Sequence, residues 1–214
     1  MKKYLAEIIG TFFLVAVVIG SGIMAENLAN GNMAVALLGN TIATGAILFV
    51  IIKMFAPISG AHFNPAVSIV FYIRKELEKN DLIIYVLMQI TGGLIAVFLT
   101  HYIFNIQIFQ ISQNIRGEFP LLVSEIIATT GLLLTILFIR KSDEKSIAIA
   151  VALFITAGYW FTSSTSFANP AVTIARIFTN TFTGIAPISV KYFIAGQIIG
   201  AILANYIYNA FEKK

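Results

Sequence analysis

The chain has 214 residues, 58% hydrophobic and 11% charged, with no cysteine. Soluble domains carry about 25% charged residues, so an aqueous globular protein is excluded, and disorder is excluded by the Ile, Leu, Val and Phe in every long segment. The lack of cysteine removes disulfides and thiol chemistry, and the net charge of +4 reads as cytoplasmic loop cations of a membrane protein, with no nucleic-acid partner.

In chain order, long apolar stretches fall at roughly 4–22, 34–55, 82–104, 120–139, 146–161 and 189–211. A span needs ~20 mostly apolar residues, so these predict six crossings, the fifth of them short. Two more pieces, 63–73 and 167–178, are too short to cross and too apolar for water. Segments of that length are re-entrant or interfacial. The expected fold class is an all-α membrane protein, with six transmembrane helices and two re-entrant half-helices in a single domain over residues 1–214.

Lys2 and Lys3 before the first stretch resemble a signal peptide, but Glu7 lies inside that run and a matching segment occurs in mid-chain. With the N-terminus inside, the cytoplasmic cations are Lys2, Lys3, Lys53, Arg74, Lys75, Lys79, Arg140, Lys141, Lys145, Lys213 and Lys214. Arg116, Arg176 and Lys191 remain outside. This bias places both termini in the cytoplasm. No targeting motif is seen, so the expected location is a plasma (inner) membrane, crossed several times.

The chain also repeats itself. Ala6-Glu7-Ile8-Ile9-Gly10-Thr11 echoes Ser124-Glu125-Ile126-Ile127-Ala128-Thr129, and Asn64-Pro65-Ala66-Val67 echoes Asn169-Pro170-Ala171-Val172. Gln89-Ile90-Thr91-Gly92 echoes Gln197-Ile198-Ile199-Gly200 in the same order. The repeats cover about 1–110 and 119–214. Three crossings in each half make the second half enter from the opposite side, an inverted repeat whose site lies at the midplane.

Asn is a preferred N-cap and Pro is favoured at the first helical position, so Asn64-Pro65 and Asn169-Pro170 predict two helix starts. In an inverted pair these half-helices meet cap to cap, after non-helical lead-ins at Ala56–Phe63 and Thr162–Ala168. Irregular backbone is tolerated at that depth only against a cavity or within protein. Two positive helix ends facing one point repel cations, while the Asn amide groups donate hydrogen bonds into the passage.

Glu7 and Glu125 sit near the starts of repeated spans, where an unpaired carboxylate is costly. They read either as braces for the lead-in loops or as members of a proton relay. His62 edges the cytoplasmic vestibule, and His101 reads as a satisfied polar group. No His, Asp and Glu cluster has metal-ligand spacing, and no carboxylate pair suggests catalysis, so neither a metal nor an enzyme is expected. Gly92, Gly93, Gly200 and Ala201 read as close-packing positions.

On these residues, above all Ser59-Gly60-Ala61-His62-Phe63-Asn64-Pro65-Ala66-Val67 and the second Asn169-Pro170-Ala171, the chain resembles the major intrinsic proteins, the aquaporin and glycerol-facilitator family. The resemblance implies a homotetramer with one channel per subunit in the lipid bilayer, conducting small neutral solutes passively and without a cofactor. Where that family usually has Arg after the second Asn-Pro-Ala, this chain has Val172, and Arg176 comes four residues later. Arg176 at the outer mouth is either a snorkelling or loop-bonded cation or a partial replacement for the missing one.

Counted from the two Asn, the family's outer selectivity filter falls at Thr44, Ser166, Val172 and Ala157, with Gly158 or Tyr159 as alternatives for the last. Thr, Ser, Ala and Val lack the bulk and charge of a water filter, so an aperture wider than water is expected. The Val variant looks like a prokaryotic subset linked to neutral arsenic species. The expected cargo is water, glycerol-sized polyols and undissociated metalloid acids such as arsenite. An alternating-access transporter is also built on inverted repeats, and a narrow water-selective channel is the other alternative.

Overall fold

The first two apolar stretches form α1 (Lys2–Leu28) and α2 (Met33–Ser59) in the computed structural model, which describes residues 1–212. Each helix has 27 residues, about 40 Å at 1.5 Å per residue. That exceeds the ~30 Å hydrocarbon core, so hydropathy marks only the middle of each helix. Then follow α3 (Pro65–Ile73), α4 (Lys79–Ile103), α5 (Phe119–Ser142), α6 (Ile147–Phe161), α7 (Pro170–Ala175) and α8 (Pro187–Glu212). Short 3-10 turns at Glu144–Ser146 and Arg176–Phe178 precede α6 and follow α7. Six helices are long and apolar enough to span a membrane, and no strand occurs among the described residues. Lys213 and Lys214, counted above among the cytoplasmic cations, lie outside the described residues.

One lead-in is shorter than expected. Ala56–Phe63 was expected to be irregular throughout, but residues 56–59 complete α2, with Pro57 inside the helix. Pro57 lacks an N–H and so forfeits one bond, to the carbonyl four residues back, and Gly60 in the left-handed region (φ +82) ends the helix three residues after it. The second lead-in is irregular from Thr162, as expected.

Packing follows the same order in both halves. α1 lies against α4 as α5 lies against α8, and α2 and α6 join the two halves. Each half-helix touches the last long helix of both halves: α3 packs on α4 and α8, and α7 on α8 and α4. Gly92 lets α4 close on α1, since a Cβ there would stand 2.3 Å from the Ile8 carbonyl oxygen. Gly200 does the same for α8, at 2.7 Å from the Ile126 carbonyl oxygen. The obstacle is backbone and cannot rotate away, so Gly92→Ala must separate two helices, a cost of about 1–3 kcal/mol. Its thermal unfolding midpoint in detergent is expected to fall by several degrees, and an unchanged midpoint would contradict the close approach.

Candidate functional site

Asn64 and Asn169 start α3 and α7 in extended conformation, with φ of −156° and −154°. The Asn64 Oδ1 accepts from Ala66 N at 2.9 Å, and the Asn169 Oδ1 accepts from Ala171 N at 3.0 Å and Val172 N at 3.3 Å. Each side chain then reaches across to the other half. Asn64 Nδ2 donates to the Ala168 carbonyl at 2.7 Å, and Asn169 Nδ2 donates to the Phe63 carbonyl at 2.8 Å. An amide carries two N–H groups, so one is engaged in this cross-brace and one remains. The expectation that the whole NH2 faces the passage is corrected, because the facing lead-in carbonyls need donors at this depth.

The lead-ins are held from behind. Glu7 Oε1 accepts from Ser59 Oγ at 2.6 Å and His62 N at 3.0 Å, while Oε2 accepts from Phe63 N and Gln89 Nε2, both at 2.7 Å. Glu125 Oε1 accepts from Phe167 N at 3.0 Å, and Oε2 from Ala168 N at 2.9 Å and Gln197 Nε2 at 2.6 Å. Both carboxylates are fully buried. These bonds fix a backbone that alternates into the left-handed region at Ala61 and Phe63 (φ +52 and +49), and again at Ser166 and Ala168 (φ +50 and +48). Such residues cost of order 1–3 kcal/mol each unless their surroundings over-determine them. Gln89 and Gln197 stood out in the sequence only as echoes; their role as partners of the two Glu was not read there.

A cavity of about 1180 Å³ contains both Asn and the lead-in residues Ala61, His62, Ser166 and Phe167. Among the described residues the carbonyls of these four have no protein donor, so they are free to accept from a solute. At one end His62 is buried against Phe71 and Tyr85, with Nδ1 3.0 Å from Ser68 Oγ. Beyond it, Glu76 pairs with both Arg74 and Arg140. Partial burial pushes the Glu76 carboxyl up, but the Arg140 and Arg74 guanidinium groups outweigh it and hold it below the ordinary carboxylate range. His101, away from the cavity, has Nδ1 2.7 Å from the Ile108 carbonyl and Nε2 2.8 Å from Thr179 Oγ1.

At the other end the cavity is lined by Thr44, Tyr159, Ser166, Val172 and Arg176. Ala157 is not among them. It is exposed on the far side of α6, because residues advance 100° on a helix and Ile155 and Tyr159 already occupy the inner face. Of the three residues weighed for this position, Ala157, Gly158 and Tyr159, only Tyr159 lines the cavity, with a ring in place of the methyl of the first choice. Its hydroxyl lies 3.2 Å from Thr44 Oγ1. Thr44 Oγ1 gives its one hydrogen to the Asn40 carbonyl at 2.8 Å, so Tyr159 is the donor in this pair. Among the described residues Ser166 Oγ has no protein hydrogen-bond partner, and it rests against Gly158, where a Cβ would meet it at 2.6 Å.

Arg176 is only 3% exposed. Its Nε donates to the Thr183 carbonyl, and its guanidinium stands 3.5 Å from the Phe167 ring centroid. Of the alternatives the sequence left open, it is bonded to the loop and does not snorkel to water.

Six spanning helices around a cavity where two half-helices meet define a multi-pass membrane channel. The family model described as Major intrinsic protein matches residues 1–146, and the chain belongs to this family, whose members are channels and not enzymes. The chain is 45% identical over 203 residues to the aquaglyceroporin AqpS of Rhizobium meliloti (strain 1021), covering 95% of this chain and 87% of that protein. It is 28% identical over 214 residues to the aquaporin NIP2-2 of Zea mays, covering 97% and 70%. Its fold is similar to the X-ray structure of the aquaglyceroporin from Plasmodium falciparum, with a TM-score of 0.75 at 21% identity over 98% of this chain and 96% of that one.

Proposed function

We propose that this channel for water and small solutes passes glycerol-sized polyols and undissociated metalloid acids such as arsenite. The observation that carries the reading is the outer lining. Thr44, Tyr159, Ser166 and Val172 line it with no cation among them, and Arg176, four residues after Val172, lines the same cavity. Tyr159 and Thr44 give oxygen atoms and Val172 a hydrocarbon face, which suits a solute with one hydroxyl edge and one C–H edge. The similarity to an aquaglyceroporin at 45% identity supports the same cargo class.

Conduction follows from the donor and acceptor inventory. A neutral solute exchanges water for the remaining N–H of Asn64 and Asn169 and for the free lead-in carbonyls, at little desolvation cost. A cation meets the amide donors and the Arg176 charge, while the carboxylates that line the cavity, Glu76, Glu78, Asp81 and Glu144, lie at its His62 end. Glu7 and Glu125 serve as braces and not as a relay, since every bond they accept comes from a fixed backbone or side-chain donor. The two repeats, 1–110 and 119–214, form one channel per subunit of a homotetramer, with both termini in the cytoplasm of a plasma membrane.

Stopped-flow light scattering on proteoliposomes tests this. Water and glycerol permeabilities are both expected to exceed those of empty vesicles, with a weak temperature dependence and no saturation. A water-only profile would overturn the solute reading. Saturable, strongly temperature-dependent uptake would replace the channel with an alternating-access transporter.

A further inference from the structure

Arg116 lies in the connection between the two halves and has no place in the conduction site described above. Its Nε donates to the Gly184 carbonyl at 2.7 Å and its Nη2 to the Phe182 carbonyl at 3.1 Å. The carbonyl between these two, that of Thr183, accepts from Arg176 Nε. Three successive loop carbonyls are thus taken by two guanidinium groups from distant parts of the chain. Both guanidinium carbons also lie over one ring, that of Phe167, at 5.3 Å for Arg116 and 3.5 Å for Arg176. Among the described residues neither arginine pairs with a carboxylate.

The connection is itself fastened to the same outer loop and to the elements that flank it. Ser112 N donates to the Ile177 carbonyl in the 3-10 turn at 2.8 Å, Asn114 Nδ2 to the Thr181 carbonyl at 2.7 Å, and Arg116 N to Ser189 Oγ in the first turn of α8 at 3.1 Å. Arg176 has a different position: it lines the cavity, and among the described residues its two terminal nitrogens have no protein acceptor. Where its guanidinium stands therefore decides how much of the outer passage is open and charged.

We propose that Arg116 is a positioning residue for outer selectivity: it fixes the loop carbonyls on which Arg176 is held, and so keeps the Arg176 guanidinium against the wall of the passage. The inference rests on the reading that the outer lining selects solutes. The fork of Arg116 pins the carbonyls on either side of Thr183, which leaves that carbonyl one orientation. The ring of Phe167 holds the Arg176 cation by its face, and since Arg116 stands at the same ring as a like charge, its hold on Arg176 is made through the loop carbonyls. Without Arg116 the loop loosens, the Thr183 bond no longer fixes its partner, and the Arg176 side chain enters the passage.

The test is a double-mutant cycle in proteoliposomes, with Arg116→Gln, Arg176→Gln and the combination, reading glycerol and water permeability per reconstituted channel. In the Arg176 background, Arg116→Gln is expected to lower the glycerol-to-water ratio about threefold, or ~0.7 kcal/mol. In the Arg176→Gln background it is expected to leave the ratio unchanged. A purely structural role would reduce both permeabilities in proportion in both backgrounds, which would overturn the proposal, as would an unchanged ratio. If Arg116→Gln fails to reconstitute, Arg116→Lys keeps the charge without the fork and is expected to shift the ratio in the same direction. Wild-type vesicles that pass water and no glycerol would overturn the solute reading and not this one. The coupling is then read on water permeability, which Arg116→Gln must lower only where Arg176 is present.

Discussion

Replacing Val172 by Arg is expected to lower glycerol permeability at least ~10-fold, about 1.4 kcal/mol, while water permeability changes by less than about threefold. Val172 is 5% exposed, lines the cavity, and lies in the first turn of α7, where its N–H is bonded to Asn169 Oδ1. The backbone is therefore fixed, and only the side chain changes. An arginine there extends a guanidinium toward Thr44 and Tyr159, filling the side of the passage that Val172 leaves as hydrocarbon. It also stands one helical turn before Arg176, and residues four apart share a face, so the two like charges repel. A three-carbon polyol must pass both, whereas water needs a single-file gap. The measurement is paired stopped-flow swelling and shrinking in water and glycerol gradients. Unchanged glycerol flux at normal reconstitution would remove Val172 from the filter.

The same position shows how far the sequence could be read. The two Asn-Pro-Ala segments and their half-helices were legible because N-cap chemistry is local: Asn, then Pro, then an apolar run. The placement of Glu7 and Glu125 behind the lead-ins was legible because a carboxylate inside an apolar span must find donors. What the count left open was rotational phase, with Ala157 put first and Gly158 and Tyr159 as alternatives. Ala157 and Tyr159 are two residues apart, and counting back from Asn169 through an irregular lead-in does not preserve helical phase. The structure turns α6 so that Tyr159 faces Thr44. The end of α2 failed for a different reason: Pro57 forfeits a single bond, to the carbonyl four residues back, and the helix still runs two residues beyond it. Arg116 was legible only as an external cation, because its guanidinium partners are two backbone carbonyls of a loop nearly seventy positions away, which carry no side-chain signature.

Removing the Glu125 carboxylate is expected to have the larger effect on the fold. In Glu125→Ala the N–H groups of Phe167 and Ala168 and the Gln197 amide lose their acceptor together. A buried donor left unsatisfied costs about 1–3 kcal/mol, and Glu125 has no exposure through which solvent would replace its carboxylate. The loss is therefore expected to reach several kcal/mol. It falls on the segment that holds Ser166 and Ala168 in the left-handed region and presents the Ala168 carbonyl to Asn64. The second lead-in then relaxes, the cross-brace from Asn64 breaks, and conduction is lost with it. Glu125→Gln keeps one acceptor oxygen. Turned toward Ala168 N and Gln197 Nε2, it still satisfies two of the three donors, so a smaller loss is expected. Unfolding in detergent and water permeability per channel should both rank wild type above Glu125→Gln above Glu125→Ala. A proton relay predicts another order, with both variants well folded and both losing a pH-dependent flux. Equal stability of all three proteins would leave the lead-in held by something other than Glu125.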